Sequence, residues 1–269
     1  MIYCRQSTIR DGGETVKVVV ERFNEQGTLR FQLAGPIGVI TIDRSSQRNA
    51  LTQDMWKTMK NWVVSLPSKT RLLVIRGAGS DFTAGSDIKE FSVLTVDQAN
   101  IAFETMEETI SAIENVSIPT IASINGPAFG AGFILALACD VRIGTENAMF
   151  GMPVGKLGVT LQPPFLRRMI QTLGPSRTKD LIYTARSYKA NQAMELGILN
   201  YLVPSVKLDS ETISLARRML LQSRASLLAV KKNVNLVLSG MQMETGYWVD
   251  NNDFKEGVRA FTEKRPAHF

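Results

Sequence analysis

One histidine and two cysteines are all that this sequence offers of the side chains that most often bind metal or activate a nucleophile. The histidine, His268, is next to the last residue. A Ser-His-Asp triad or a His-ligated metal is therefore not expected. Cys4 and Cys139 are too few for a disulfide framework or a zinc site. No run of eighteen apolar residues occurs, so no membrane-spanning helix is expected. The first stretch, MIYCRQSTIRDGG, is polar and lacks the apolar core of a secretory signal, which points to the cytosol. Charged residues make up only 21% and are mixed in sign, which excludes a disordered tail. No Gly-Lys-Ser/Thr follows a glycine-rich loop, so a Walker-type phosphate loop is absent. What remains for chemistry is carboxylates, backbone amides, hydroxyls, side-chain amides and lysines.

The 269 residues carry a net charge of +6 and 44% hydrophobic residues, an ordinary globular composition. The modest basic excess suits an anionic partner such as nucleic acid, a membrane surface or a phosphorylated cofactor. It suits a plain solvated surface better. Residues 1–27 read as an N-terminal extension with one strand near 16–20. Leu29, Phe31 and Leu33 alternate, and Val39, Ile40 and Ile42 follow an Ala34-Gly35-Pro36 turn, so 28–43 reads as a hairpin. Met55, Met59, Trp62 and Val63 share helical spacing behind Thr52, a good N-cap. Short apolar runs at 72–75, 120–124 and 141–144 read as buried parallel strands, with helices at 96–115 and 132–138 between them. Helices are expected at 164–173, 176–184 and 191–196, and a last strand at 198–203. Past Pro204 the pattern is wholly helical, over 209–222, 225–238 and 243–263. The fold class is α/β with parallel strands.

Two glycine-bearing turns stand out. Phe82-Thr83-Ala84-Gly85-Ser86-Asp87-Ile88-Lys89 lies past one strand. Asn125-Gly126-Pro127-Ala128-Phe129-Gly130-Ala131-Gly132-Phe133 joins another strand to an apolar helix. Small residues let backbone approach a ligand, and N–H groups at a helix start point outward unpaired. Two such turns can aim two N–H groups at one oxygen, an oxyanion hole suited to a thioester carbonyl becoming an enolate. Taken singly, each is more simply a tight strand-to-helix turn.

With these turns the chain resembles the crotonase superfamily, the enoyl-CoA hydratase/isomerase group. The matching stretches are Arg48-Asn49-Ala50-Leu51, the run from Ala84 to Glu90, residues 125–140, Phe150-Gly151-Met152-Pro153, residues 193–202, and the ending that holds Phe254-Lys255-Glu256-Gly257 and Phe261-Thr262-Glu263-Lys264-Arg265. They run in order over about 28–269. The resemblance implies a spiral core of ββα units over 28–204 and a helical trimerisation region over 205–269, assembled as a homotrimer or homohexamer. It implies an acyl-CoA thioester as ligand, with no metal and no cofactor beyond it. The oxyanion hole would come from the backbone N–H groups of Ser86 and Ala131, the latter replacing a usual glycine. Ala84, Asp87 and Ile88 would lie in the loop beside the adenine, and Arg48 near the CoA phosphates. Lys264 and Arg265 would reach the nucleotide end from a neighbouring subunit. Arg and Lys pair well with phosphate, although each is equally at home on a solvated surface.

The resemblance also marks what is missing. Hydratases of the group place one glutamate two residues past the last glycine of the second turn, where this chain has Ile134. They place another after Phe-Gly-x-Pro, where it has Val154. The acid that isomerases set beyond a Leu-Gly pair falls on Gln162, beyond Leu157-Gly158. A general acid or base is worth about 10²–10⁴-fold in rate, so efficient hydration is not expected. Phe133, Ile134, Val154 and Leu161 are expected to form a greasy acyl pocket, with ordinary core packing as the alternative. Gln162 precedes Pro163-Pro164 and is expected on a loop, facing substrate or solvent. Asp87, Lys89 and Glu90 read as capping and surface pairs, and Asp140 as structural. Lys156, Tyr201 and the Ser86 hydroxyl lack an activating partner, and His268 reaches a site only through an oligomer.

Decarboxylation of a malonyl-type thioester, isomerisation or thioester hydrolysis stays open. So does a non-catalytic protein binding acyl-CoA or RNA. Arg217, Arg218, Arg224, Lys231 and Lys232 occur with no acid between them, a candidate basic face. No aromatic residues interleave them, so a solvated helix is the simpler reading and nucleic acid is not expected as a partner.

Overall fold

The computed structural model describes residues 8–11, 14–240, 246 and 248–269. The chain opens with β1 (Thr8–Asp11), β2 (Glu14–Phe23), β3 (Leu29–Ala34) and β4 (Ile37–Ile42), all antiparallel neighbours. Then come α1 (Gln53–Val64), β5 (Leu72–Gly77), α2 (Ile88–Phe91), α3 (Val96–Asn115) and β6 (Thr120–Ile124). β7 (Pro127–Phe129), α4 (Ala131–Ala138), β8 (Val141–Thr145) and β9 (Met149–Gly151) follow. After these lie α5 (Pro163–Thr184), β10 (Ser187–Lys189), α6 (Ala190–Glu195) and β11 (Tyr201–Val203). The chain closes with α7 (Leu208–Leu220), α8 (Arg224–Ser239) and α9 (Asn251–Glu263).

The main sheet runs β1-β2-β3-β4-β5-β6-β8-β11, and from β4 onward it is parallel. β3 alternates buried and half-buried residues because one face meets the core. β6 is buried throughout, as a strand covered on both faces must be. A small second sheet, β10-β9-β7, forms beside it. Helix α1 starts at the Thr52 cap, whose hydroxyl accepts from the Met55 N–H, and buries Met55, Trp56, Met59, Trp62 and Val63. Burying each such side chain contributes about 1.5–3 kcal/mol. Thr95 and Gln98 close a reciprocal capping box at the start of α3.

The expected elements form, with differences that have physical reasons. β2, inside the expected extension, is hydrogen-bonded to β3 and so belongs to the main sheet. The helices expected at 164–173 and 176–184 run on as α5 with a break at Gly174 (φ 76°), because the position before Pro175 disfavours the α region. The last helix begins at Asn251, behind an Asp250 cap, rather than at 243; residues 241–245 and 247 lie outside the described residues. β7, β9 and β10 are only three residues each, too short for a periodicity to register. Among the described residues no helix is long and apolar enough to cross a membrane.

Candidate active site

Helix α4 is buried on nearly every side, so the turn that leads into it is pressed into the body of the protein. The turn after β5 is stitched to it. Thr83 N donates to Pro127 O and Phe129 N donates to Thr83 O. Asn49, fully buried, donates its side-chain amide to Ala78 O and Asp81 O, each at 2.7 Å, and accepts from Arg44 N at 2.9 Å. Leu51 N donates to Gly85 O, and Asp87 N to Leu51 O. The contact between the turns is backbone against backbone. A Cβ on Gly85 (φ 93°) would lie 2.6 Å from Phe129 O and 3.1 Å from Ala131 N. A Cβ on Gly132 would lie 2.6 Å from Thr83 O. Only glycine permits this approach, and at 85 it also permits the left-handed backbone. Asn49 and Thr83 hold the junction, and the sequence marked neither as functional. Their signal is an amide and a hydroxyl beside the turn with no charge to explain them.

Beside the junction lies a cavity of about 670 Å³ lined by Ala84, Ser86 and Ile88 of the first turn and Phe129, Gly130 and Ala131 of the second. α2 and α3 add Phe91, Val96, Phe103 and Met106, and the segment 153–162 adds Val154, Leu157, Leu161 and Gln162. Among the hydrogen bonds of the described residues, neither the Ser86 N–H nor the Ala131 N–H is used. Both residues border the same space. Ala131 is the first residue of α4, where an intrahelical partner for its N–H cannot exist. Among the hydrogen bonds of the described residues, the Ser86 hydroxyl makes only one, to the Met106 sulfur at 3.7 Å. Among the described residues the lining contains no Asp, Glu, His, Lys, Arg, Cys or Tyr; its polar side chains are Ser86, Ser92, Asn100, Thr160 and Gln162.

The structure divides the residues singled out in the sequence. Ser86, Ala131, Ala84, Ile88, Val154, Leu161 and Gln162 meet at the cavity. Gln162 is exposed at the N-terminus of α5 and its side chain makes no capping bond. Phe133 and Ile134 do not line the cavity. Both are fully buried, and Phe133 packs its ring 5.5 Å from that of Phe150, so these two residues fill the core instead.

Asp87 is not among the cavity-lining residues; its side chain caps α2 through Lys89 N and pairs with Arg44 at 2.5 Å, the capping and pairing expected of it. Burial pushes its carboxyl up, but the Arg44 hydrogen bond and the α2 amides hold it below the usual carboxylate range. Arg48, in a left-handed conformation, pairs with Asp81 at 2.9 Å. It borders a second cavity of about 500 Å³ with Ser80, Asn125, Asn147 and Ser205, at the carboxyl ends of the parallel strands. Arg265 is held by Glu256 and Glu263, and Lys264 caps α9; within this chain neither lines the main cavity.

Charge elsewhere is spent on structure. Arg168, almost wholly buried, joins α5 to α3 through Glu107 and Glu114, each at 2.8 Å. Burial lowers its affinity for the proton, and the two carboxylates more than restore it. Lys231 is buried against Asp140 and Ile118 O, so the five cations of 217–232 do not share one exposed face. Asp140 also accepts from Thr120 N and Thr120 Oγ1. Burial pushes the Cys139 thiol up to about 12, beyond use as a nucleophile. Lys156 and Tyr201 lie outside the cavity lining, and the His268 N–H donates to Glu256. Among the described residues no group of three or more His, Cys, Asp or Glu is placed to hold a metal ion.

The sequence profile of enoyl-CoA hydratases/isomerases matches residues 33–269. A crotonyl-CoA hydratase of Syntrophomonas wolfei is 33% identical over 247 residues, spanning 87% of this chain and 94% of that one. The solved enoyl-CoA hydratase of Bacillus anthracis superposes with a TM-score of 0.81 at 27% identity, covering 90% of this chain and 98% of its own. An enoyl-CoA hydratase/carnithine racemase of Magnetospirillum magneticum gives 0.86 at 25% identity, over 93% and 96%. With the profile covering most of the chain and relatives matched along nearly their whole length, the chain belongs to the enoyl-CoA hydratase/isomerase family of acyl-CoA enzymes, and its fold is crotonase-like.

Proposed function

We infer that the chain binds an acyl-CoA thioester with its carbonyl oxygen at the Ser86 and Ala131 N–H groups, and that it works on the enolate with backbone donors alone. The observation that carries this reading is the pairing, among the described residues, of two unused N–H groups with a cavity that holds no ionisable side chain. An oxyanion-hole donor contributes about 10²–10³ in rate without moving a proton. Hydration, isomerisation and thioester hydrolysis each need a group that takes or gives a proton, and Ile134, Val154 and exposed Gln162 do not serve.

Decarboxylation of a 2-carboxyacyl-CoA needs none. The bond from the α-carbon to the carboxylate breaks, carbon dioxide leaves, and the electron pair becomes the enolate held by the two N–H groups. Water then supplies the proton to the α-carbon. A carboxylate in this lining has no cation to pair with, so its departure relieves the cost of burying it. No cofactor beyond the thioester enters. A homotrimer or homohexamer fits the apolar residues exposed on α9, Phe254, Val258 and Phe261, and would bring Lys264 and Arg265 toward a neighbour's nucleotide end.

The test is a parallel incubation of the protein with a 2-carboxyacyl-CoA and with crotonyl-CoA, read by mass spectrometry. Loss of carbon dioxide from the first and no water gain by the second is the expected result. Water addition to crotonyl-CoA well above background contradicts it. Tight thioester binding with neither reaction leaves an acyl-CoA-binding role.

A further inference from the structure

The main cavity extends well past the two N–H groups. Met106, beside Ser86, lines it together with Phe103, Asn100, Ala99 and Val96. These positions fall on one stripe of α3, three, four, seven and ten residues apart counted from Val96. At 1.5 Å of rise per residue the stripe is about 15 Å long. It is graded from inside to outside: Met106 is 1% exposed and Val96 is 78% exposed. The lining also includes Leu157, Leu161 and Phe91, whose ring packs 5.3 Å from that of Phe103.

Volume agrees with length. At about 30 Å³ per heavy atom, the share of a water molecule in the liquid, 670 Å³ holds on the order of twenty heavy atoms. The inner part of a pantetheine arm fills some of that. A four-carbon acyl group would leave most of the rest without partner atoms and forfeit the contacts. The multiply charged nucleotide end has no cation in the lining and stays outside.

We propose that the acyl group taken by this site is linear and of medium length, about eight to twelve carbons in all, uncharged beyond its α-carbon and lying along α3 from Met106 toward Val96. The inference rests on the reading of this cavity as an acyl-CoA site. A linear chain is favoured over a compact ring because the wall is long and only one helix face wide. Its far end opens to solvent, so chains longer than the stripe gain nothing further.

The experiment is calorimetric titration of the full chain with butyryl-, octanoyl-, decanoyl- and hexadecanoyl-CoA and with free CoA. Saturated thioesters have no double bond to hydrate and no carboxylate to lose, so binding is read apart from chemistry. Each buried methylene is worth up to about fourfold in affinity, so affinity should rise at least about thirtyfold from butyryl to decanoyl and then level off. A flat series overturns the chain-length inference and leaves the acyl-CoA reading standing. If no thioester binds better than free CoA, both fall. Ala99→Phe, which fills the outer third of the stripe, should weaken decanoyl-CoA at least about tenfold more than butyryl-CoA. Equal weakening of the two would overturn the placement along α3.

Discussion

Neighbouring stretches of the same loop, residues 79–81 and 84–88, border two cavities of opposite character. The one at the carboxyl ends of the strands holds Arg48 and Asp81 with Ser80, Asn125 and Asn147, and its charges neutralise one another. Among the described residues, the one between the two turns holds no ionisable group, only apolar walls, five uncharged polar side chains and two unused N–H groups. Charge in this molecule marks where it is held together. The candidate site is defined by where charge is missing. Arg44–Asp87, Arg48–Asp81, Lys231–Asp140 and the Arg168 cluster all join segments distant in sequence. The neutral cavity is left with what the backbone offers.

The contrast can be broken most severely at the glycine junction. Gly85→Val should prevent folding or abolish thioester binding, because a side chain there meets Phe129 O at 2.6 Å in a left-handed backbone. Costs above about 4–5 kcal/mol are the exception among single changes, and this should be one. Soluble yield and circular dichroism check it. Arg168→Ala leaves Glu107 and Glu114 facing a hole and should cost about 3–5 kcal/mol, read by urea unfolding.

Ala131→Pro sharpens the contrast from the other side. It deletes one N–H at the first position of a helix, where proline is otherwise tolerated. Turnover should fall about 10²–10³-fold, and thermal melting, which reports whether Gly130 accepts the following proline, should change little. The smallest effect is expected at the surface. The Arg265 hydrogen bonds hold the Glu256 carboxyl down to about 2, from 4.5. A depressed carboxyl contributes stability above pH 4.5 that is lost as pH falls toward 2, and Glu256→Gln should remove only that acid-side slope from the melting curve.

Much of the fold was legible because burial leaves periodic traces. The alternation of Leu29, Phe31 and Leu33, the Met55 to Val63 stripe and the Thr52 cap all correspond to observed elements. The three-residue strands were not legible, since two or three side chains carry no period. Of the site, the two turns were legible through their small residues, and Ala131, marked by the family resemblance, sits at the head of α4, one residue before the start expected at 132. The role of the Asp87 side chain was legible as a cap and a charge pair, and it caps α2 and pairs with Arg44. Arg48 fits a phosphate contact by type, and only the three-dimensional structure shows that its neighbour is Asp81. Phe133 and Ile134 were ambiguous for a similar reason. A helix apolar on all sides does not say which residues meet a cavity and which meet Phe150.

The most direct measurement is the dependence of kcat/KM on pH for the decarboxylation of a 2-carboxyacyl-CoA. With no titrating side chain in the lining, the profile should be flat from about pH 6 to 9, since such profiles report the essential acid and base. A bell, or a single step near neutrality, would show that a protein side chain carries the proton and would contradict the account.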